Sequence, residues 1–594
     1  IPYIGYFISV STFDGRQVLQ FTADSDNEQR AAALSSGVYI LICNEVCGEG
    51  VSRNCKIERG CQNGSLFFYF IRRGRNSARQ YTLYMVFYGL LNSSIFVKFY
   101  VRRMAIDVNS KVCGSRETRI GSITGYSGTL RDIGEQIACS GCPGEKKRCF
   151  SQAAGCASGC ALAQASEIND VAIVHHGPSG CAAIARVKPA FELLAGAIGR
   201  DRSHFAYTCT DMNEADTVFG ATDKLKETIL ETYRRYRPKA IFIGASCVSG
   251  VIGEDLEGIV DDLKGEIDIP IAPIHCEGFK SQIWASGFDA TYHALLKYIV
   301  KPPRKKTNKV NIIGFTAGMA WNTRADIIRM LDVLGLEPTF LLAASTVEEI
   351  EHLSEATASI TTCSTLSSYL GIGLETAYGV PFVRSLQPHG IIGYEDLARQ
   401  LAKVVDREYE MEAFLQKERA VYLPEIEKIK EQLAGKSAMV AMGPNLGANI
   451  ARVLQEFDMK IEHLTAWHFD KQYDDGSRPK ALQYLIDNSP NDFTYAVNHL
   501  QNFEFMNILN TVRPDIFVSR HPDSAIWSMK IGIPGYCVYD EYNVFGYKGT
   551  LRFGKTLLDL ILNRSFTENL SKHVRLPYTN WWMKQQPDTF LIKD

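Results

Sequence analysis

From about residue 165 onward, short apolar runs alternate with longer helical patterns, and this alternation restricts the chain to α/β architecture. A strand of a parallel sheet has helices on both faces, so it reads as an unbroken apolar run. Each crossover to the next parallel strand takes a helix-length segment. Residues 171–174, 240–244 and 269–274 are such runs, with a helical stretch at 253–263 between the last two. They predict a first doubly wound domain over residues 166–302. The segment Lys301-Pro302-Pro303-Arg304-Lys305-Lys306 combines prolines with charge and cannot continue a helix, which makes it a linker. A second α/β domain is expected over 307–430, with strands near 310–315, 339–342 and 359–362. The charge-rich helical stretch 394–433 leads into a third over 431–594, with strands at 438–442 and 515–518.

A chain of 594 residues is long enough for several cores of this kind. Its 64 Lys and Arg nearly cancel its 66 Asp and Glu, and a net charge of −2 supplies no electrostatic footprint for nucleic acid. The first hundred residues differ in character. They hold aromatic-rich runs at 65–71 and 81–101, beside Arg72-Arg73-Gly74-Arg75. The second run has the length of a membrane span, but Asn92, Ser93, Ser94 and Lys98 interrupt it, so strands or poorly defined structure are expected rather than a transmembrane helix. Residues 1–103 are read as an atypical N-terminal segment that need not belong to the native protein. Met104 is a candidate initiator, and 104–165 is a Cys-rich segment.

The sixteen cysteines are unevenly spread: six lie between Cys139 and Cys181, and only Cys537 follows Cys363. Disulfide frameworks belong to small secreted domains. A chain of this size without a recognisable signal peptide points instead to the cytoplasm, and its clustered cysteines to metal or iron–sulfur binding. In open α/β sheets the loops at the C-terminal ends of strands face ligands. That rule selects Cys247, His275-Cys276, Cys363, Gly443-Pro444-Asn445 and Ser519-Arg520-His521. Cys181 directly follows Gly177-Pro178-Ser179-Gly180, a tight turn whose glycines let backbone amides approach a ligand. Cys247 stands at a strand end, ahead of a Gly253 turn into an acidic helix start. Amide-rich loops stabilise anionic sulfur and so suit iron–sulfur ligation. One such cysteine would read as a buried small hydrophobe; Cys156, Cys181 and Cys247 together read as ligands. Cys139-Ser140-Gly141-Cys142, with Cys149 beyond it, leaves open an extra metal site, an exchanged ligand or neither. Gly435-Lys436-Ser437 is no phosphate-binding loop, because Lys430 stands where Gly is required and the strand follows the motif. ATP hydrolysis, where involved, belongs to another protein.

Over roughly residues 110–562 the sequence resembles the component 1 proteins of nitrogenase and their relatives. Cys181 follows Cys156 by 25 residues and precedes Cys247 by 66, the spacing of the α-type subunit around its His-Gly-Pro-x-Gly-Cys motif. Cys160 fits the first place less well. The resemblance implies that these three, with cysteines of a β-type partner, bind an electron-relay iron–sulfur cluster at the subunit interface. Cys209 to Gly220 matches the family's segment after the second cysteine. His275-Cys276-Glu277-Gly278-Phe279 matches a strand end whose Cys is not a ligand. Thr362-Cys363-Ser364, followed by Tyr378-Gly379-Val380-Pro381-Phe382, resembles the segment whose Cys anchors the active-site cofactor. Arg513-Pro514-Asp515 marks the closing domain. Gly532-Ile533-Pro534, Tyr536-Cys537-Val538-Tyr539-Asp540 and Gly546-Tyr547-Lys548-Gly549 resemble the C-terminal cofactor loop and its continuation.

The departures are informative. Cys537 stands where nitrogenase has a His on the cofactor, Trp284 and Phe288 replace a pocket Gln and His, and Thr365 replaces an Arg. A pocket without those polar groups handles protons and small substrates differently, so neither standard dinitrogen reduction nor a molybdenum–homocitrate cofactor is expected. The resemblance implies three doubly wound (Rossmann-like) parallel-sheet domains around a central metal-cluster site. It implies the α-type subunit of a nitrogenase-like iron–sulfur oxidoreductase, in an α2β2 assembly. Electrons from an ATP-dependent iron–sulfur reductase would reduce a small substrate at a second metal–sulfur cofactor held by Cys363 and Cys537. The alternative is a scaffold for nitrogenase cofactor assembly, since family scaffolds keep the cysteines and lose pocket residues. A protein that binds clusters only structurally ranks third. His389, His468 and His521 read as hydrogen-bonded structural residues, His468 being the first to test.

Overall fold

In the computed structural model the described residues are the strands within 1–103 and residues 106–140, 155–183, 195–314, 321–342, 344–498, 502–538 and 544–586. The chain divides into two compact units, Ile1–Asp107 with Cys139–Gly141, and Val108–Ala138 with Cys142–Asp594.

The first unit contains antiparallel sheets. One has the order Gln17–Thr22, Tyr6–Ser11, Phe96–Arg103, Gln80–Val86, and the other Glu28–Leu34, Gly37–Cys43, Cys55–Arg59. The run at 81–101 therefore contributes strands, as expected. No helix among the described residues is long and apolar enough to cross a membrane. The run at 65–71, Met104, Cys142, Cys149 and the side chain of Cys139 lie outside the described residues.

The second unit is α/β and holds three sheets. The first is parallel, in the order Ala206–Cys209, Val171–His176, Ala240–Ala245, Ile271–Ile274. Every residue of Val171–His176 and Ala240–Ala245 is buried, as helices on both faces require. The second sheet, also parallel, runs Glu337–Phe340, Lys309–Ile313, Ala358–Thr361. The third places Gly535–Cys537, Ile516–Ser519, Ser437–Met442, Lys460–Ala466 and Thr494–Val497 in parallel, and Tyr126–Thr129 adds an antiparallel edge. That edge strand comes from the N-terminal Cys-rich segment, so residues near 126 complete a sheet more than three hundred positions downstream.

Each strand expected from an apolar run is present. The helical stretch expected at 394–433 is instead two helices, Gly390–Val404 and Glu408–Leu433, separated where Asp406 adopts φ 53°. The proline-rich linker is non-helical, as expected. Two close approaches fix the helix Ala157–Ala165. A Cβ on Gly244 would lie 2.4 Å from Leu162 Cδ2, and one on Gly287 would lie 2.0 Å from the Ala157 carbonyl oxygen. Glycine at both places lets the helix sit against its strand and against the helix Ser286–Ala294. Cys156, at the N-cap of that helix, is held accordingly.

Candidate metal centre

The three sheets end in loops that carry the residues singled out from the sequence. Cys247 is the first residue of the short helix Cys247–Ile252, capped by Ser246, whose hydroxyl accepts the Ser249 N–H at 3.2 Å. Cys181 lies in the single turn Ser179–Ala182 after the strand Val171–His176. Hydrogen bonds stitch these two loops together. Ser246 N–H donates to the His176 carbonyl at 3.2 Å, and Gly177 N–H donates to Thr210 Oγ1 at 3.1 Å. The buried His176 ring binds Thr210 Oγ1 through Nδ1 at 3.1 Å and the Glu254 carboxylate through Nε2. Glu254 belongs to the turn after the Cys247 helix, where Gly253 takes φ 75°. Its other oxygen accepts the Ala221 N–H at 2.5 Å.

Cys156, Cys181 and Cys247 come together at this place, and all three are partly exposed. Gly278 shows how tightly. A Cβ there would stand 2.6 Å from Cys156 Sγ and 3.5 Å from Cys247 Sγ, so the two sulfurs lie within about 6 Å of each other. Burial pushes the Cys181 thiol above its ordinary value, and the thiols of Cys247 and Cys156 push it further the same way. Among the described residues no three His, Cys, Asp or Glu side chains converge closely enough for a single metal ion. The Cys156 and Cys247 sulfurs instead pack against the backbone of Gly278, where any side chain would collide with Cys156.

The neighbouring cysteines differ. Cys276 is fully buried, donates to the Ala245 carbonyl at 3.5 Å, and has its thiol pushed up to about 12 by burial, so it remains a protonated core thiol. Cys209 donates to the Gly177 carbonyl at 3.2 Å and accepts the Asp211 N–H at 3.3 Å. Glu277 pairs with Lys280 at 2.7 Å, and a Cβ on Gly250 would stand 2.6 Å from Glu277 Cγ, which packs the Cys247 helix against the Gly278 turn. The roles of Gly278, Gly250 and the His176–Glu254 pair were not read from the sequence. The His and Glu lie inside quoted motifs, but their contact joins loops 78 residues apart.

The second group lies elsewhere in the same unit. Cys363 is buried at the N-cap of the helix Ser364–Tyr378, beyond the strand Ala358–Thr361, and its N–H donates to Thr361 Oγ1 at 3.1 Å. Polar groups crowd the turn after it. Gln387 donates to Ser364 Oγ at 2.6 Å, Asn445 to Thr365 Oγ1 at 2.9 Å, and Arg116 to the Thr365 carbonyl at 2.5 Å. The Thr365 carbonyl is thus served by Arg116 from the N-terminal helix Arg116–Arg119. That arginine forks onto Asp289 with two bonds of 2.8 Å and reaches Asp470 at 3.3 Å, and Arg119 joins Asp289 to Asp474. Cys537 ends the edge strand of the third sheet, with Sγ 3.6 Å from the Arg520 carbonyl oxygen, and burial pushes its thiol up. Cys363 and Cys537 thus stand at the ends of different sheets. Tyr539 and Asp540 lie outside the described residues.

Trp284 and Phe288 pack edge to face at 5.3 Å between ring centroids, and Trp284 also meets Trp467 and His468, each at 5.9 Å. His468 is buried with Nε2 3.4 Å from Asp470, and His521 packs on Trp467 at 4.3 Å. These contacts are ionic and aromatic, and neither ring nitrogen of His468 is hydrogen-bonded, which departs from the hydrogen-bonded reading of that residue.

The sequence model described as nitrogenase component 1 type oxidoreductase matches residues 156–562, more than half of the chain. The nitrogenase iron-molybdenum cofactor biosynthesis protein NifE of Methanococcus maripaludis is 27% identical over 417 residues, covering 68% of this chain and 82% of that protein. The nitrogenase molybdenum-iron protein alpha chain of Methanosarcina barkeri is 25% identical over 446 residues, covering 66% and 82%. Among solved structures, nitrogenase Cp1 at pH 6.5 superposes with a TM-score of 0.59 at 20% identity, covering 74% of this chain and 95% of that one, a likeness of fold.

Proposed function

Because the chain belongs to the nitrogenase component 1 type oxidoreductases, we propose that it is the α-type subunit of a nitrogenase-like iron–sulfur oxidoreductase. One observation carries the reading. The thiols of Cys156 and Cys247 converge on the backbone of Gly278, with Cys181 close enough to feel both. The donor set fits an iron–sulfur cluster better than free thiolates, since iron neutralises the charge that burial first, and the neighbouring thiols next, disfavour at Cys181. The sulfurs are partly exposed, which suits a cluster completed by thiolates of a β-type partner in an α2β2 assembly. Exposed apolar side chains flank them: Phe219 is 87% exposed, Val251 74% and Phe279 57%. Such a patch around a metal site marks a protein interface, here for the partner subunit and for an ATP-dependent iron–sulfur reductase.

Bound clusters supply one-electron transfer and, at the inner site, reduction of a small substrate. The chain's own residues do the rest. Cys156, Cys181 and Cys247 hold the interface cluster, and the Ser246 and Gly177 turns keep their loops in register. Cys363 and Cys537 hold a second metal–sulfur cofactor. Trp284 and Phe288 stand where the family resemblance puts a pocket Gln and His, so proton delivery follows another route than through those polar groups. Dinitrogen is therefore not the proposed substrate.

A scaffold for nitrogenase cofactor assembly is the second reading, favoured by the NifE relatives and by Trp284, Phe288 and Thr365. Anaerobic co-purification with the β-type partner and the reductase separates the two. ATP-dependent substrate reduction supports the enzyme. A cofactor that transfers to an apo-acceptor without turnover supports the scaffold. Iron, molybdenum and vanadium contents of the same sample identify the cofactor class.

A further inference from the structure

Between the backbone beside Cys156 and the third sheet, Trp284, Trp467 and His521 stand in successive ring contact. We propose that Trp284 and Trp467 bridge electron transfer from the Cys156, Cys181 and Cys247 centre to the Cys537 end of the inner site. This rests on the functional reading above and adds the route to it.

The path begins at Gly155, the residue before Cys156. A Cβ on Gly155 would lie 3.8 Å from Trp284 Cβ and 3.9 Å from Cys160 Sγ, so the backbone one residue before Cys156 lies beside the base of the tryptophan side chain. The Trp284 and Trp467 centroids are 5.9 Å apart at an interplanar angle of 62°, and those of Trp467 and His521 are 4.3 Å apart at 69°. These are contact distances for edge-to-face rings. His521 follows Arg520, whose carbonyl oxygen is 3.6 Å from Cys537 Sγ. Two ring–ring contacts, with the Gly155–Trp284 approach at one end and the His521–Arg520 backbone at the other, therefore link the two sites, Trp467 being buried in the middle.

Hydrogen bonding does not explain the first indole, because Trp284 Nε1 is buried without a partner. An aliphatic side chain would fill the same space without that cost. What the indole adds is a conjugated π-system in contact with the next ring, and electronic coupling decays less steeply through π-systems in contact than through saturated side chains. One electron leaves the reduced centre on the interface thiolates, and one is gained at the inner centre. No bond forms or breaks, and neither indole is itself oxidised or reduced. The source of the electron is the iron–sulfur reductase.

The test uses the complex of this chain with its β-type partner and reductase, comparing wild type with Trp284→Phe, Trp284→Leu and Trp467→Leu. Iron content, the interface-centre signal in electron paramagnetic resonance and the melting temperature are read first. Rapid-freeze spectra then follow the time course of inner-centre reduction. The expected result is unchanged iron and interface signal, with the inner centre reduced several-fold more slowly in both leucine variants and Trp284→Phe between them and wild type. Wild-type rates in Trp284→Leu, with both signals present, overturn the bridge and leave the functional reading intact. A wild-type complex lacking the interface signal overturns the functional reading, and the bridge with it.

Discussion

At the residue scale, Gly278 and His175 make the most distinct predictions. Gly278 has no positive φ to protect, so alanine is conformationally acceptable there. Its Cβ nevertheless falls 2.6 Å from Cys156 Sγ. Gly278→Ala is therefore expected to leave the melting temperature near wild type and to lower iron bound per chain, read by metal analysis after anaerobic purification. His175 is buried on the first sheet with neither ring nitrogen hydrogen-bonded. Burial pulls its imidazole from 6.5 down to about 4. Between those values the unfolded chain binds a proton that the folded chain refuses, so stability falls as pH is lowered through that window. The loss is on the order of 3 kcal/mol at its lower end. Denaturant titrations at pH 7 and pH 4.5 should show that loss in wild type and a smaller one in His175→Leu. Equal losses in the two proteins contradict the assignment.

Elements set where these residues stand, and two contacts can be tested directly. The helix Ala157–Ala165 approaches Ser286–Ala294 so closely that a Cβ on Gly287 meets the Ala157 carbonyl at 2.0 Å. Backbone cannot yield as a side chain can. Gly287→Ala should therefore cost about 1–3 kcal/mol and displace Cys156, which thermal melts and the interface-centre signal would both register. The short helix Arg116–Arg119 is pinned by two guanidiniums that share buried Asp289. Asp289→Asn removes the carboxylate that both share while Arg116 keeps Asp470 and Arg119 keeps Asp474, with an expected destabilisation of about 1–3 kcal/mol in denaturant titration from the lost charge-assisted bonds. Much of this element layer was legible in the sequence, because parallel strands buried on both faces read as apolar runs. Strands 206–209 and 494–497 were not, being four residues long with polar positions among the apolar ones. Tyr126–Thr129 was hidden for another reason: its pairing partner is more than three hundred residues away. The break at Asp406 escaped because the residues around it keep the charge-rich helical composition of both helices.

For the whole molecule, motif spacing identified the thiols, and the fold accounts for their convergence. Cys156, Cys181 and Cys247 stand on three segments whose loops meet only when the first sheet is assembled. The glycines and the His176–Glu254 pair that hold these loops together carry no signal of their own in sequence order. The distinction between enzyme and scaffold stayed illegible, since it depends on turnover and on partners rather than on fold. The central claim is that these three thiolates hold an iron–sulfur cluster with a β-type partner. Its most direct test is the electron paramagnetic resonance spectrum and iron content of the anaerobically purified complex, wild type against Cys181→Ala. The account predicts that the substitution abolishes the interface-centre signal and lowers iron while the complex stays folded. An unchanged spectrum with unchanged iron would contradict it.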